Sequence, residues 1–271
     1  MSDNTLNKNF PITTPIKLQL RIAHGVVTVE TADDLAEASV RIKADKHATD
    51  LLSQTIVDMR GDTLVVQAPR QGGIFDLFGG WRADRGLDVK VVIPGGTPVK
   101  ISTFTAPIRI PGRVGDADLA FGSGEAAVRE VDGALRLRYG SGTVKAVRVS
   151  GAVQVRSGSG NAQFGEIGGD LMAGCGSGNI EVRVSRGAVR SRCGSGNATL
   201  NEVHGDVDVA SGSGGLEIGL PAGVSAQLDV STGSGQLHSE LPIEETPNKT
   251  NEAIRVRART GSGDVRVFRA A

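Results

Sequence analysis

The chain has 271 residues with 30 basic and 30 acidic side chains, 12 of each up to Thr103 and 18 of each beyond, so neither half is a charged tail. Such balance excludes a strong overall pull toward nucleic acid or an anionic membrane, and two cysteines exclude a disulfide framework. Aromatic residues make up 3% and glycines number 38, so any core must be built from Val, Ile, Leu and Ala in a chain with very many turns.

The first residues, MSDNTLNKNFPITTP, are polar and lack the apolar centre of a signal peptide. Residues 1–16 read as a disordered or extended tail. No later stretch approaches the roughly 18 apolar residues of a membrane helix, and the expected location is the cytoplasm. Over 17–103 the segments IKLQLRI, GVVTVE, ASVRIK, TLVVQAP and LDVKVVIP alternate and are broken by Gly, Asp and Pro, the pattern of short strands. One short helix fits near HATDLLSQ. This region reads as N-terminal β coils and a cap, since uncovered end strands present unpaired backbone.

The same region contains QGGIFDLFGGWRADRG at 71–86, with the single Trp of the chain. Ile74, Leu77, Phe78 and Trp81 have helical spacing, with Phe75 at the edge, but Gly79 and Gly80 interrupt that face. Two readings stay open. The segment is a lid folded over a thin core, or it is an exposed apolar patch for self-association, a protein partner or a membrane surface.

From about Phe104 the chain keeps a strict beat. Gly-Ser-Gly begins at Gly122, Gly140, Gly158, Gly176, Gly194 and Gly212 in steps of 18, then at Gly233 and Gly261 after steps of 21 and 28. A second glycine column, Gly115, Gly133, Gly151, Gly169, Gly187, Gly205 and Gly223, keeps the same interval. Apolar columns run in phase, for example Val144, Ala162, Ile180, Ala198 and Leu216, or Leu135, Val153, Leu171, Val189 and Val207. A third lies at Val131, Val149, Ile167 and Val203. Alternation within each segment puts these side chains on one face, and stacking equivalent strands at roughly 4.8 Å aligns like with like. The expected fold is all-β, a single-stranded parallel β-helix of 18-residue coils, regular over 104–232 and irregular over 233–271. A left-handed hexapeptide helix would need apolar residues every six positions, but Arg186 and Arg192 follow Ile180 at that spacing. A right-handed coil is therefore expected. About eight coils at the usual interstrand spacing would make a rod of roughly 40 Å. The insertion LPIEETPNKTNEAIRVRART, between Gly233 and Gly261, would form a bulged or hairpin-like cap.

Strands leading into VVIPGGTPVKISTFTAPIRI, repeated Gly-Ser-Gly turns entering short strands, and a closing TGSGDVRVFRA together resemble the DUF4097 putative-adhesin family of bacterial β-strand-repeat proteins. The resemblance runs from about residue 17 to the end. It implies a right-handed single-stranded β-helix with an adhesin-like role and no particular ligand.

The glycine turns do not read as phosphate cradles. Glu125, Thr143, Asn161, Asn179 and Asn197 follow them, and then strands, instead of Lys-Ser/Thr and a helix. Structural turns fit better: glycine for unusual backbone angles, Ser and Asn for hydrogen-bonded ladders, of which Asn161, Asn179 and Asn197 should be one. Calcium-binding β-rolls need an Asp in each turn, and Asp follows Gly-Ser-Gly only at Asp264. Cys175 and Cys193 stack in one inward column with Tyr139, Ser157 and Ser211. Their spacing permits a bridge, but a reducing compartment favours two small buried thiols. His24, His47, His204 and His238 are scattered without paired-ligand spacing. Asp206 and Asp208 share a strand face, with Asp170 two coils away, the arrangement on which a carbohydrate-active reading would rest. Arg136, Arg138, Arg156, Arg190 and Arg192 fall in outward columns interleaved with aspartates. They form a solvated face or a stripe for an anionic polymer.

The expected function is a non-enzymatic interaction or structural solenoid that binds a protein partner or itself, as an oligomer or filament. Nucleic acid is not expected as a partner, and no residue is assigned to catalysis, a cofactor or a metal. The alternatives are a carbohydrate-binding or carbohydrate-active β-helix and a surface adhesin exported by an unrecognised route.

Overall fold

Strict alternation of apolar and polar residues sets nearly every element of the computed structural model, which describes residues 4–45, 48–69, 86–241 and 253–270. Two units are distinguished, residues 1–133 and 134–271. No helix among the described residues is long and apolar enough to cross a membrane.

The first unit contains β1 (Thr5–Pro11), β2 (Lys17–Arg21), β3 (Gly25–Ala32), β4 (Glu37–Ala44), α1 (Thr49–Gln54), β5 (Ile56–Arg60), β6 (Thr63–Gln67), β7 (Leu87–Pro94), β8 (Val99–Thr103), β9 (Ile108–Val114), β10 (Ala117–Phe121) and β11 (Glu125–Val131). Neighbour to neighbour, one sheet runs β5–β6–β2–β8–β10. The other runs β1–β4–β7–β3–β9–β11. Each coil thus gives one strand to each sheet, and the strands are parallel except where β4, β1 and β5 join. Leu18, Leu20, Leu64, Ile101 and Leu119 from the first sheet and Val27, Val89, Val91 and Ile108 from the second are fully buried. The coil β2–β3 lies between β6–β7, which follow it in sequence, and β8–β9.

Residues 5–11, in the segment expected to be a tail, form β1, which pairs antiparallel with β4. Lys8 and Pro11 on this outer strand are residue types that discourage further pairing. The Lys8 ammonium donates to the Val57 carbonyl at 2.8 Å, tying β1 to β5. The short helix anticipated near 47–54 is α1, anchored by buried Leu51 and by the Thr55 hydroxyl donating to the Leu51 carbonyl at 2.6 Å.

The second unit contains β12 (Leu135–Val149), β13 (Val153–Ile167), β14 (Leu171–Ser177), β15 (Ile180–Ser185), β16 (Val189–Ser195), β17 (Ala198–Val203), β18 (Val207–Ser213), β19 (Leu216–Leu220), β20 (Ala226–Ser234), β21 (Leu237–Ser239), β22 (Ile254–Ser262) and β23 (Val265–Arg269). It is a parallel β-solenoid. On one sheet Leu135, Val153, Leu171, Val189 and Val207 pair in succession. On the other, Val144, Ala162, Ile180, Ala198 and Leu216 do the same. Every one of these residues is buried. The third column is also buried, at Val149, Ile167 and Val203, with Ser185 filling its fourth place and donating to the Gly187 carbonyl at 3.2 Å.

After β19 the order changes. β18 pairs with β22 and β22 with β20, while β19 pairs with β23 and β23 with β21. Residues 254–269, expected to belong to an irregular cap, instead form a regular coil between two coils that precede it in sequence. The alternation of IRVRART explains this. Ile254, Val256, Ala258 and Thr260 point inward in the same phase as Val207, Val209 and Ser211.

Candidate interaction surface

The Gly-Ser-Gly corners are built from three interlocking columns. The first glycine of each triplet is needed for close approach. A Cβ on Gly158, Gly176, Gly194 or Gly212 would sit 2.5–2.8 Å from a carbonyl oxygen of the preceding coil. Gly122, Gly233 and Gly261 are equally tight against Phe104, Gly261 and Gly212. The unusual backbone angle expected of these glycines belongs instead to the second glycine of the triplet, as at Gly178 (φ 141°), Gly196 (φ 136°) and Gly214 (φ 143°). That angle turns the chain into the next strand, where an L side chain would be strained.

Outside the corner, Asn161 Oδ1 accepts from the Asn179 backbone N–H at 3.0 Å. Asn179 Oδ1 accepts from Asn197 N–H at 3.0 Å, and Asn197 Oδ1 from Gly215 N–H at 2.8 Å. This is the ladder expected from the sequence, and it satisfies backbone donors that have no strand partner.

Inside the corner runs a column of small polar side chains. Ser157, Cys175, Cys193, Ser211, Thr260 and Thr232 are successive neighbours. Ser211 donates to the Gly196 carbonyl and Thr260 to the Gly214 carbonyl, each at 3.1 Å, and Thr232 to the Gly263 carbonyl at 2.9 Å. Cys175 and Cys193 are joined by a disulfide with Cα atoms 4.6 Å apart. The expectation of two free thiols is corrected. Adjacent rungs bring equivalent positions within bridging distance, and both side chains point into the same corner.

The arginines singled out from the sequence come together on one sheet. Arg136 and Arg138 on β12, Arg156 on β13, and Arg190 and Arg192 on β16 all point outward and are exposed. The inserted coil adds Arg255, Arg257 and Arg259 to the same sheet. Sequence reasoning missed these three because they stand out of step with the 18-residue beat. Asp206 accepts from the Arg255 backbone at 3.0 Å and from its guanidinium at 2.9 Å. Asp229 takes Arg257 and Arg259 at 3.1 and 3.2 Å, and Asp208 lies 3.8 Å from Arg192. Among the described residues no ion pair engages Arg136 or Arg156, and Arg190 acts on Asp206 through its charge.

These contacts bear on the aspartates considered for carbohydrate chemistry. The Arg255 backbone N–H, with the Arg255 guanidinium and the charge of Arg190 behind it, holds the Asp206 carboxyl below its ordinary range against the opposing effect of burial. Asp170 accepts from the Ala188 N–H at 2.9 Å, as a rung of the turn ladder. An acid catalyst needs its proton held, and Asp206 is pushed the other way.

Residues 74, 75, 77, 78 and 81, the apolar cluster at Ile74, Phe75, Leu77, Phe78 and Trp81, lie outside the described residues. A different apolar feature stands at β20 and β21. Leu228 is 38% exposed and Leu237 53% exposed, although both occupy inward columns. Among the described residues, β20 pairs only with β22 and β21 only with β23 within this unit.

A "putative adhesin" from Bacteroides fragilis shares 13% identity with 98% of each chain covered and a TM-score of 0.44. A "putative adhesin" from Parabacteroides distasonis shares 11% identity, again with 98% of each chain covered, at a TM-score of 0.41. A "putative lipid binding protein" from the same species shares 12% identity, with 99% of this chain and 98% of that chain covered, at a TM-score of 0.38. No curated protein matches the chain. The Toastrack DUF4097 family model matches residues 16–270. With coils in register and a family match that spans them, this chain belongs to the Toastrack DUF4097 family.

Proposed function

We propose that the chain is a non-enzymatic interaction module that associates with a second copy of itself through the coil formed by β20 and β21. The observation that carries this reading is the pair of exposed core-column leucines, Leu228 and Leu237, on strands that each pair along one edge among the described residues. The outer strand β1 of the first unit differs, since its Leu6 and Phe10 are half-buried and it carries Lys8 and Pro11, which discourage pairing, whereas Leu228 and Leu237 are exposed. Two copies meeting edge to edge would pair antiparallel about a two-fold axis and cover both leucine pairs. Light scattering behind size exclusion over a concentration series tests it. The expected result is a concentration-dependent dimer whose dissociation constant rises at least tenfold in L228K/L237K. A monomer at all concentrations, or a dimer indifferent to that substitution, overturns it.

The Cys175–Cys193 bridge favours action outside the cytoplasm, against the location expected from the sequence, because such bridges persist in oxidising compartments. Thiol trapping of the protein in fractions of the native host tests this. A bridged form confined to the cell surface supports it, and a fully reduced cytoplasmic pool refutes it.

A further inference from the structure

The arginine sheet of the second unit has a pattern that the fold does not require. In one outward column the successive residues are Arg138, Arg156, Gly174, Arg192, Ala210, Arg259 and Ser231. From Arg156 onward, arginine occupies every second rung, two interstrand steps or roughly 9.6 Å apart. The rungs between them hold Gly174 and Ala210, and Ser231 follows Arg259, so no long side chain rises between the guanidiniums. Gly174 is informative. A Cβ there would meet nothing within 4 Å, and its φ is not positive, so neither crowding nor backbone geometry calls for glycine.

The neighbouring outward column holds Arg136, Gln154, Met172, Arg190, Asp208, Arg257 and Asp229. It sets Asp208 and Asp229 beside the gaps at Ala210 and Ser231, and Met172 beside the gap at Gly174. The opposite sheet of the same unit is different. There Lys145, Arg148, Arg183, Arg266 and Arg269 are mixed with Glu166, Glu181, Glu202 and Glu217, so neither sign dominates. Positive charge is thus gathered on one sheet of a chain with no net charge.

We infer that this face binds an acidic polysaccharide laid across the strands, with a sugar carboxylate on each of Arg156, Arg192 and Arg259, the last two sharing their exposed guanidiniums between the sugar and Asp208 or Asp229, and the intervening residues over Gly174 and Ala210. Guanidinium groups suit this role because they grip carboxylates through paired, charge-assisted hydrogen bonds. Gln154, Asp208 and Ser231 supply partners for hydroxyls. Other polyanions fit less well. The outward residues of this face include no aromatic side chain on which a nucleobase could stack. Met172 is the one large apolar side chain among its described outward residues, too little to enter a lipid surface. A peptide adding as a strand needs a sheet edge, which a sheet face does not offer.

Polygalacturonate at low salt, with neutral dextran as control, is the probe for the intact chain. The expected result is binding to polygalacturonate alone, weakening as salt rises. R156Q/R192Q lowers the affinity at least tenfold, and G174R, which fills an open rung, raises it severalfold with an unchanged melting temperature. The proposal is overturned by no binding at low salt, by indifference to R156Q/R192Q, or by tighter binding to single-stranded DNA or phosphatidylserine vesicles. Leu228 and Leu237 play no part in this face, so L228K/L237K separates failure of this inference from failure of self-association.

Discussion

Cys175 and Cys193 occupy places that their neighbours fill with hydroxyls. Ser157 and Ser211 flank them in the same corner column, and Ser211 and Thr260 bond turn carbonyls there. Serine therefore fits both cysteine sites, and C175S/C193S should fold with the same strand content. Its stability should fall by about 3 kcal/mol relative to the bridged protein, the loop-closure contribution for a loop of this size. Chemical unfolding with and without reductant checks this, since reductant should bring the native chain down to the variant and leave the variant unmoved. An unequal effect, or a variant as stable as the bridged form, would show that the bridge does not form. The column was legible from the sequence because an 18-residue beat superimposes equivalent positions. Its oxidation was not, because spacing alone permits a bridge without requiring one. The glycine triplets carry a related lesson. Their positions follow from the period, but which glycine serves close packing and which serves the backbone angle depends on how the neighbouring coil's carbonyls are aimed.

At the scale of elements, β22 owes its seat to pairing on both sides and to one carboxylate. Asp206 accepts the Arg255 backbone N–H before that strand begins its parallel pairing with β18, and this bond, more than the guanidinium, lowers its pKa. A carboxyl whose folded pKa is depressed stabilises the fold fully above its unfolded value of about 3.9, and that contribution is lost as pH falls through the lower folded value. Acid should therefore loosen β22 below about pH 4. D206N keeps an oxygen for the Arg255 N–H, as the ladder asparagines do, but removes the titrating charge. It should flatten the acid limb of a stability–pH profile while changing neutral stability by about 0.5 kcal/mol or less, because the group is solvent-screened. An acid limb as steep in D206N as in the native chain would assign the effect to other carboxylates. Strands with the 18-residue beat were readable from alternation alone. The seating of β22 was not, because inward phase marks a strand as able to stack without saying on which neighbour.

Across the molecule, each unit contains one coil out of sequence order, β2–β3 in the first and β22–β23 in the second. Stacked coils draw stability from their immediate neighbours. A chain ending at 241 would therefore lose the partner on which β20 and β21 rest. Amide exchange should then become fast over 226–239 while 153–203 keeps its protection. Retained protection over 226–239 would mean that this coil can close directly onto β18 and β19. The regular solenoid was legible in the sequence because local alternation and a fixed period specify it. The two insertions were not, since they are settled by which edges match best among several of similar character.

The placement of β22–β23 also affects how the protein is made. A solenoid in sequence order can add each coil as it leaves the ribosome, with N-terminal parts folding first. Here Ala226 is matched to Ile254, 28 residues later. At about 5–20 residues per second, residues 226–239 wait on the order of seconds for the segment that will separate them from the finished stack. During that interval their leucines are open to chaperones or to other nascent chains, and the last rung of the stack is set only after translation has passed the coil that belongs beneath it.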